Sequence, residues 1–270
     1  MRLKLWQVDA FATRALEGNP AAVVPLDSWI SDNLMLAIAG ENNLAETAFF
    51  VKKASGAYDL RWFTPNSEVD LCGHATLACA FVVFSFLDRA LDKVSFMTRS
   101  GELTVARGLD GRNGMSLPSD IVLPYHSTVD VAQQISEALD APPPKKLFKG
   151  TYLMAVWNDA LIVRGLKGPG GIERVLHDQG VWGLIATAPG DEGYDMVSRF
   201  FAPAKAVPED SVTGSAHSAL TPFWAKRLGK KQLKARQASP RGGDLYCADN
   251  GDRTFIAGDC ALYLTGEIEV

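Results

Sequence analysis

The 270-residue sequence is poor in the residues that build metal frames and covalent scaffolds. It has four cysteines, at 72, 79, 247 and 260, and no Cys-x-x-Cys pair. That excludes a disulfide framework and the paired spacings of a structural zinc site, and it suits a reducing compartment. There are four histidines and no His-Glu-x-x-His. Positive charge is not in excess, with 27 Lys and Arg against 31 Asp and Glu for a net −4. A general binder of nucleic acid or anionic membrane needs the opposite balance, because it must displace counterions. Long apolar runs are absent as well. The longest, Ala75 to Leu87, is about two-thirds of the ~20 residues that span a bilayer, so it reads as a core helix. Residues 1–9 alternate apolar and polar like a strand and lack the apolar stretch of a secretion signal. The expectation is a soluble, cytoplasmic protein with neither a membrane nor a nucleic acid as partner. Gly108, Gly111 and Gly114 have the wrong spacing for a dinucleotide loop. Ser215 and His217 do not sit in a Gly-x-Ser-x-Gly elbow, so a hydrolase triad is not indicated.

What is present is a substantial core. At 47% hydrophobic and 21% charged residues, the chain buries enough for one large domain or two modest ones. Strand patterns cover 3–11, 47–53, 58–63, 94–98, 103–107, 152–156, 181–186 and 196–201. Helices are expected after Ser31-Asp32, from Gly73, from Gly214, and over 131–139, where the triple proline at 142–144 stops the last one. The stretch 117–149 holds five prolines and is the expected domain junction. The most informative pattern is an internal echo. Arg61-Trp62-Phe63-Thr64-Pro65 returns as Arg199-Phe200-Phe201-Ala202-Pro203. Downstream, the segment 68–75 returns as 209–216, aligning Gly73 with Gly214. Each copy reads strand, proline-containing acidic loop, Gly-opened helix. Two copies at half the chain length predict a duplicated fold.

Glycine permits close backbone approach to a ligand, and a helix N-terminus presents N–H groups and positive potential to an anion. Two such starts, if they face one cleft, would hold a small carboxylate while side chains act on it; packing by small residues is the plainer reading of either start alone. Glu46 enters an apolar strand, so it is partly desolvated and suited to acid–base work, or it is a rim charge. His74 is placed to bond a substrate or act as an acid, or to cap its helix. Glu209 and Asp210 can fix a substrate group or complement the helix dipole. Cys72, just before a helix N-terminus, has a position that favours thiolate and a lowered pKa. Its repeat partner is Thr213, however, so a two-thiol mechanism is unavailable, and Cys72 and Cys79 share one helix face as core residues do. The basic run Lys226, Arg227, Lys230, Lys231, Lys234 and Arg236 reads as a solvated helix end.

Asp9-Ala10-Phe11, Gly18-Asn19-Pro20-Ala21-Ala22-Val23, Asn43-Leu44-Ala45-Glu46-Thr47, the segment 71–78, the segment 210–217 and Gln237-Ala238-Ser239-Pro240-Arg241-Gly242-Gly243 together resemble the PhzF-like (phenazine-biosynthesis-like) isomerases. The matching segments run in order over nearly the whole chain. The resemblance implies an α/β (α+β) diaminopimelate-epimerase-like fold of two similar domains, each a mixed, barrel-like sheet around a central helix, with the active site between them. The expected halves are 1–117 with 259–270, and 118–258. Epimerase and racemase relatives use a cysteine at each helix start. PhzF-like members are implied to use a glutamate, here Glu46, as the proton shuttle, with His74 and Asp210 beside it. Gly73, Gly214, Ser215 and Thr213 would hold substrate. The family often has proline after the matched aspartate, where this chain has Ser211. No metal, no organic cofactor and a homodimer are further implications.

The expectation is therefore a cofactor-independent isomerase that moves a proton between carbons of a small carboxylate, by general acid–base catalysis in the interdomain cleft, in a biosynthetic process. The rival is a catalytically silent module that binds a ligand or a protein on the same fold.

Overall fold

The computed structural model describes residues 1–168, 170–205 and 207–270. It divides into two units, Met1–Ser116 with Ala257–Val270, and Leu117–Ile256. No helix among the described residues is long and apolar enough to cross a membrane.

The first unit contains β1 (Arg2–Ala10), β2 (Asn19–Leu26), α1 (Asp32–Asn42), β3 (Glu46–Lys52), β4 (Tyr58–Phe63), β5 (Glu68–Val69), α2 (Gly73–Val82), β6 (Lys93–Thr98), β7 (Gly101–Arg107) and β8 (Asn113–Pro118). β1 is antiparallel to both β2 and the C-terminal strand Cys260–Glu269. Beyond it, β2 and β3 run parallel, β3 and β4 antiparallel, and β4 carries β5 antiparallel and β6 parallel. α1 begins as the sequence predicts, with the Ser31 hydroxyl accepting from Leu34 N. α2 is apolar on every side, the mark of a helix buried all round. Ala75, Leu77, Ala78, Cys79 and Ala80 are fully buried, and a π-helical turn, Val83–Leu87, extends it.

The second unit contains β9 (Leu123–Pro124), α3 (Val131–Leu139), β10 (Lys146–Lys149), β11 (Leu153–Val156), α4 (Ala160–Gly165), α5 (Ile172–Asp178), β12 (Leu184–Pro189), β13 (Met196–Ala202), β14 (Val207–Asp210), α6 (Gly214–Leu228), β15 (Gln232–Gln237), β16 (Gly243–Asp249) and β17 (Arg253–Gly258). Its pairings repeat those of the first unit. β11 and β12 run parallel, β12 and β13 antiparallel, and β13 carries β14 antiparallel and β15 parallel. α6 takes the place of α2. It contains Pro222, which has no N–H to give the carbonyl four residues earlier. That carbonyl, Ser218 O, accepts instead from Asp120 N at 3.1 Å and the Thr254 hydroxyl at 3.4 Å.

The duplication is visible in side chains too. Arg61 Nε and Nη2 grip Glu68 at 2.7 and 2.8 Å, and Arg199 Nε and Nη2 grip Glu209 at 2.6 and 2.7 Å. Each guanidinium also lies over the phenylalanine two residues on, Phe63 at 5.2 Å and Phe201 at 5.1 Å. The echoed Arg-aromatic-Phe segment is thus a clamp that ties β4 to β5 and β13 to β14, with the stacked ring shielding a bidentate pair. One expectation is corrected. α6 ends at Leu228, so of the basic run only Lys226 and Arg227 lie in its last turn. Lys234 and Arg236 stand on β15 because β-pairing with β16 claims that segment; Lys230 pairs with Asp195, and Arg236 with Asp244.

The second clamp is nearly buried on both sides. Arg199→Leu, which strands the Glu209 carboxylate, is expected to cost about 3–5 kcal/mol in urea unfolding, and Arg199→Leu with Glu209→Leu should recover much of it. Equal losses in the single and double variants would show that the clamp is not the source.

Candidate functional site

In the first unit, β3 opens on Glu46 and α2 opens on Gly73, so strand mouth and helix start present their side chains to each other. His74 Nε2 lies 3.0 Å from Glu46 Oε2. The two atoms meet in distance without meeting hydrogen-bond geometry, so the contact is one of charge. The other ring nitrogen, Nδ1, is 3.1 Å from Asn19 Nδ2 and 3.5 Å from Cys72 Sγ. The imidazole is therefore bracketed by a carboxylate on one side and an amide and thiol on the other. Asn19 was not singled out as a site residue from the sequence. The only signal was its place in the Gly18-Asn19-Pro20 motif.

Burial works against a charged His74, but the charges of Cys72 and Glu46 and the bond to Cys72 outweigh it and hold the imidazole well above the ordinary histidine value. Burial, reinforced by the Glu46 charge, pushes the Cys72 thiol up to about 11. The sequence expectation of a lowered thiol pKa is thus corrected: desolvation beats the helix terminus at this position. Glu46, Cys72 and His74 make a donor set of a type that metals use. One such atom from each lies within 4.8 Å of the others.

In the second unit, Asp210 ends β14 and its Oδ2 accepts from the Thr213 hydroxyl at 2.6 Å. Gln237 holds the loop from β15, accepting from Thr213 N at 2.8 Å and donating to Asp210 O at 2.8 Å. Gly214 opens α6, and the Ser215 hydroxyl lies 2.9 Å from the Tyr152 hydroxyl. Neither Cys72 nor Thr213 caps its helix with its side chain, and both have extended backbones. Glu46, Gly73 and His74 thus come together in the first unit, and Asp210, Thr213, Gly214 and Ser215 in the second.

Strand register shows how the copies differ. Thr47 lies opposite Phe63, and Leu184 opposite Phe201, so the counterpart of Glu46 is Gly183. A Cβ there would stand 2.7 Å from Phe200 Cζ and 2.9 Å from Tyr152 Cδ1. The second copy has filled the place of the carboxylate with aromatic rings, and it has Ser215 where the first has His74. At the fourth helical position, Thr76 donates to Cys72 O at 2.5 Å, while His217 Nδ1 lies 2.8 Å from Thr213 O. His217 is fully buried, and burial lowers it to about 4 despite that bond.

A duplicated α/β chain with a buried, Gly-led helix in each half defines the architecture. The comparisons with known proteins place it further. Residues 8–266 match the family model of phenazine biosynthesis-like proteins, and the chain belongs to that family. An uncharacterized isomerase of Pseudomonas aeruginosa is 44% identical, over the full length of both chains. A crystal structure of a PhzF-family protein from Enterococcus faecalis superposes with a TM-score of 0.92 at 38% identity, covering all of both chains. A hydroxyproline epimerase from Agrobacterium vitis shares the fold alone, with a TM-score of 0.61 at 12% identity over 99% of this chain and 92% of its own.

Two measurements follow from the site. Burial raises all four thiols, with Cys72 at about 11, Cys247 and Cys260 at about 12 and Cys79 well above its ordinary value. Cys260 is half-buried and the other three are buried, so the native protein should react with at most about one equivalent of a thiol reagent at pH 7.5 and with four after unfolding; a fast-reacting Cys72 would contradict this. His217 gives the second. Between about 6.5 and 4 the unfolded chain takes up a proton that folded His217 refuses, so its contribution is intact above that window and is lost as pH falls through it. His217→Gln should reduce the acid-side loss of stability by about 3 kcal/mol, and an unchanged pH dependence would refute the assignment.

Proposed function

We propose that the protein is a cofactor-independent isomerase that moves a proton between carbons of a small carboxylate, with Glu46 as the base that takes and returns the proton. The observation that carries the reading is the 3.0 Å approach of Glu46 to His74 beside an uncapped, Gly-led helix start. In this mechanism Glu46 removes a proton from a carbon alpha or vinylogous to the substrate carboxylate. Negative charge then develops toward the carboxylate oxygens, where N–H groups of the Gly73 and Gly214 helix starts stabilise it. His74, held toward its protonated form, acts as the acid partner. Asp210, Thr213 and Ser215 fix the substrate from the second unit, and the reading takes both helix starts to serve one substrate in a cleft between the halves.

The asymmetry of the copies supports a shift along the molecule over inversion at one carbon. Inversion uses a base on each face of the reacting carbon, and Gly183 offers none where Glu46 has its counterpart. Proton return by the same carboxylate gives isomerisation on one face. The homodimer, cytoplasmic location and biosynthetic setting implied by the family resemblance complete the reading; light scattering that reports a monomer would remove the first of these.

The test begins with a thermal-shift screen of small carboxylates, since a ligand that binds only the folded protein raises Tm. A hit is then incubated with enzyme in D2O, and mass spectrometry follows deuterium incorporation. Glu46→Gln is expected to keep the fold and slow exchange by 10²–10⁴ or more, the usual worth of a positioned acid or base. Cys72→Ala is expected to stay within about 10-fold of the parent, whereas a loss beyond roughly 10³-fold would make the thiol the base. Full exchange in Glu46→Gln sinks the assignment. Binding without exchange in the parent protein identifies a silent binding module.

A further inference from the structure

The loop that precedes β2 is held in a costly conformation, and it delivers Asn19 to His74. Three of its residues have left-handed backbones, Phe11 at φ 61°, Leu16 at φ 75° and Gly18 at φ 65°. Two of these are not glycine, and such residues cost on the order of 1–3 kcal/mol each, so they persist only where surrounding structure fixes them. Here the fixing is explicit. The buried Asp9 carboxylate accepts from Leu16 N at 2.7 Å, and a Cβ on Gly18 would fall 2.2 Å from Ala10 O. The next residue, Asn19, is 1% exposed and pairs with Ala10 across β1 and β2. Its amide has little freedom to leave His74.

We propose that Asn19 is the positioning residue that sets the tautomer of His74, donating from Nδ2 to Nδ1 so that the proton of the neutral ring sits on Nε2, the nitrogen 3.0 Å from Glu46 Oε2. An imidazole has one N–H, and the nitrogen that accepts a hydrogen bond cannot carry it. A donor at Nδ1 therefore sends the proton to the side where Glu46 stands. When His74 is protonated, Nδ1 needs an acceptor instead, and a half-turn of the same amide offers Oδ1. A carboxamide can thus bond both protonation states while leaving the neutral proton on Nε2, whereas a carboxylate would hold that proton on Nδ1. Cys72 from the residue before α2 and Glu46 from β3 are the titratable groups facing the ring. Cys72 competes for Nδ1 but at 3.5 Å and through a weak S–H donor. The second unit grips its own helix differently. By register Ala21 corresponds to Tyr152 and Asn19 to Gly150, and it is Tyr152 that reaches Ser215. An amide thus serves the residue that can change protonation, and a phenol serves the one that cannot.

The proposal rests on reading His74 as the acid partner of Glu46, but its test needs no turnover. The full-length protein has four histidines, so long-range proton–nitrogen NMR of histidine-labelled protein resolves each ring, with His74→Gln assigning the signal. On the basic side of its titration, His74 is expected to show a bare Nδ1 and a protonated Nε2. Asn19→Asp should reverse that pattern and move the titration up by about 1 unit or more, the effect of an opposite charge in contact. Asn19→Leu, which serves if the acidic variant does not fold, should leave a mixture of tautomers. A merely structural role would lower Tm without moving either signal. The parent tautomer and titration surviving in a folded Asn19 variant overturn the proposal, even if Glu46→Gln abolishes exchange. A reversed tautomer supports it, whatever Glu46→Gln does.

Discussion

A helix that is apolar on every side can be packed only inside a sheet that wraps it, and its polar ends must then be answered at the margins of the core. α2 imposes this constraint on its unit, and α6, mostly buried from Gly214 to Ala225 but exposed over its last three residues, imposes it over most of its length. Each runs from a Gly-led start through fully buried residues, and each begins with an N-cap side chain that does not cap. The sheet topology follows, since a parallel strand pair, an antiparallel partner and a further parallel strand recur around both helices. So does the position of the chemistry. The helix start is where backbone donors lack partners from their own helix, and the side chains gathered there are the ones able to answer a bound anion.

The two copies retain what the frame needs and diverge in what the chemistry needs. The Arg61–Glu68 and Arg199–Glu209 clamps keep the same donor atoms, the same acceptor and the same stacked ring. Around the helix starts almost nothing is shared. Glu46 becomes Gly183, Cys72 becomes Thr213, His74 becomes Ser215 and Thr76 becomes His217. The ionisable set is concentrated in the first unit. The second supplies neutral hydroxyls, an acid bound to Thr213, and a histidine that burial keeps uncharged.

This division explains how much was legible in the sequence. The repeated Arg-aromatic-Phe-x-Pro and Gly-led segments announced the duplication because they combine local pattern with frame chemistry. α1, α2, α3 and α6 were legible from their caps and stops, and β4 from its alternation. β2 was passed over because Pro20 and Pro25 break a strand pattern, although the strand forms with β1 and β3 on either side. Strand β15 was hidden behind the basic run, where charge masked pairing, and β16 and β17 beyond it were passed over. At the site, Glu46, His74 and Asp210 could be named by type and place. Asn19 and Tyr152 could not be given partners, because they reach the helices across 55 and 63 residues. Only register reveals that Gly183 stands where Glu46 does.

The Cys72 case shows how competing terms decide a residue's chemistry. Its position before a helix start favours thiolate, yet full burial and the neighbouring Glu46 carboxylate act in the opposite direction and prevail. Two anions cannot both be tolerated around one buried imidazole. The thiol is left neutral, a packing group and weak donor at Nδ1. In the proposed mechanism Glu46 is the base and the thiol is silent, and the charge on the first helps suppress the charge on the second. The same coupling makes His74 the natural counter-cation, and it makes the partner at the far ring nitrogen, Asn19, the group that decides which way that cation gives up its proton.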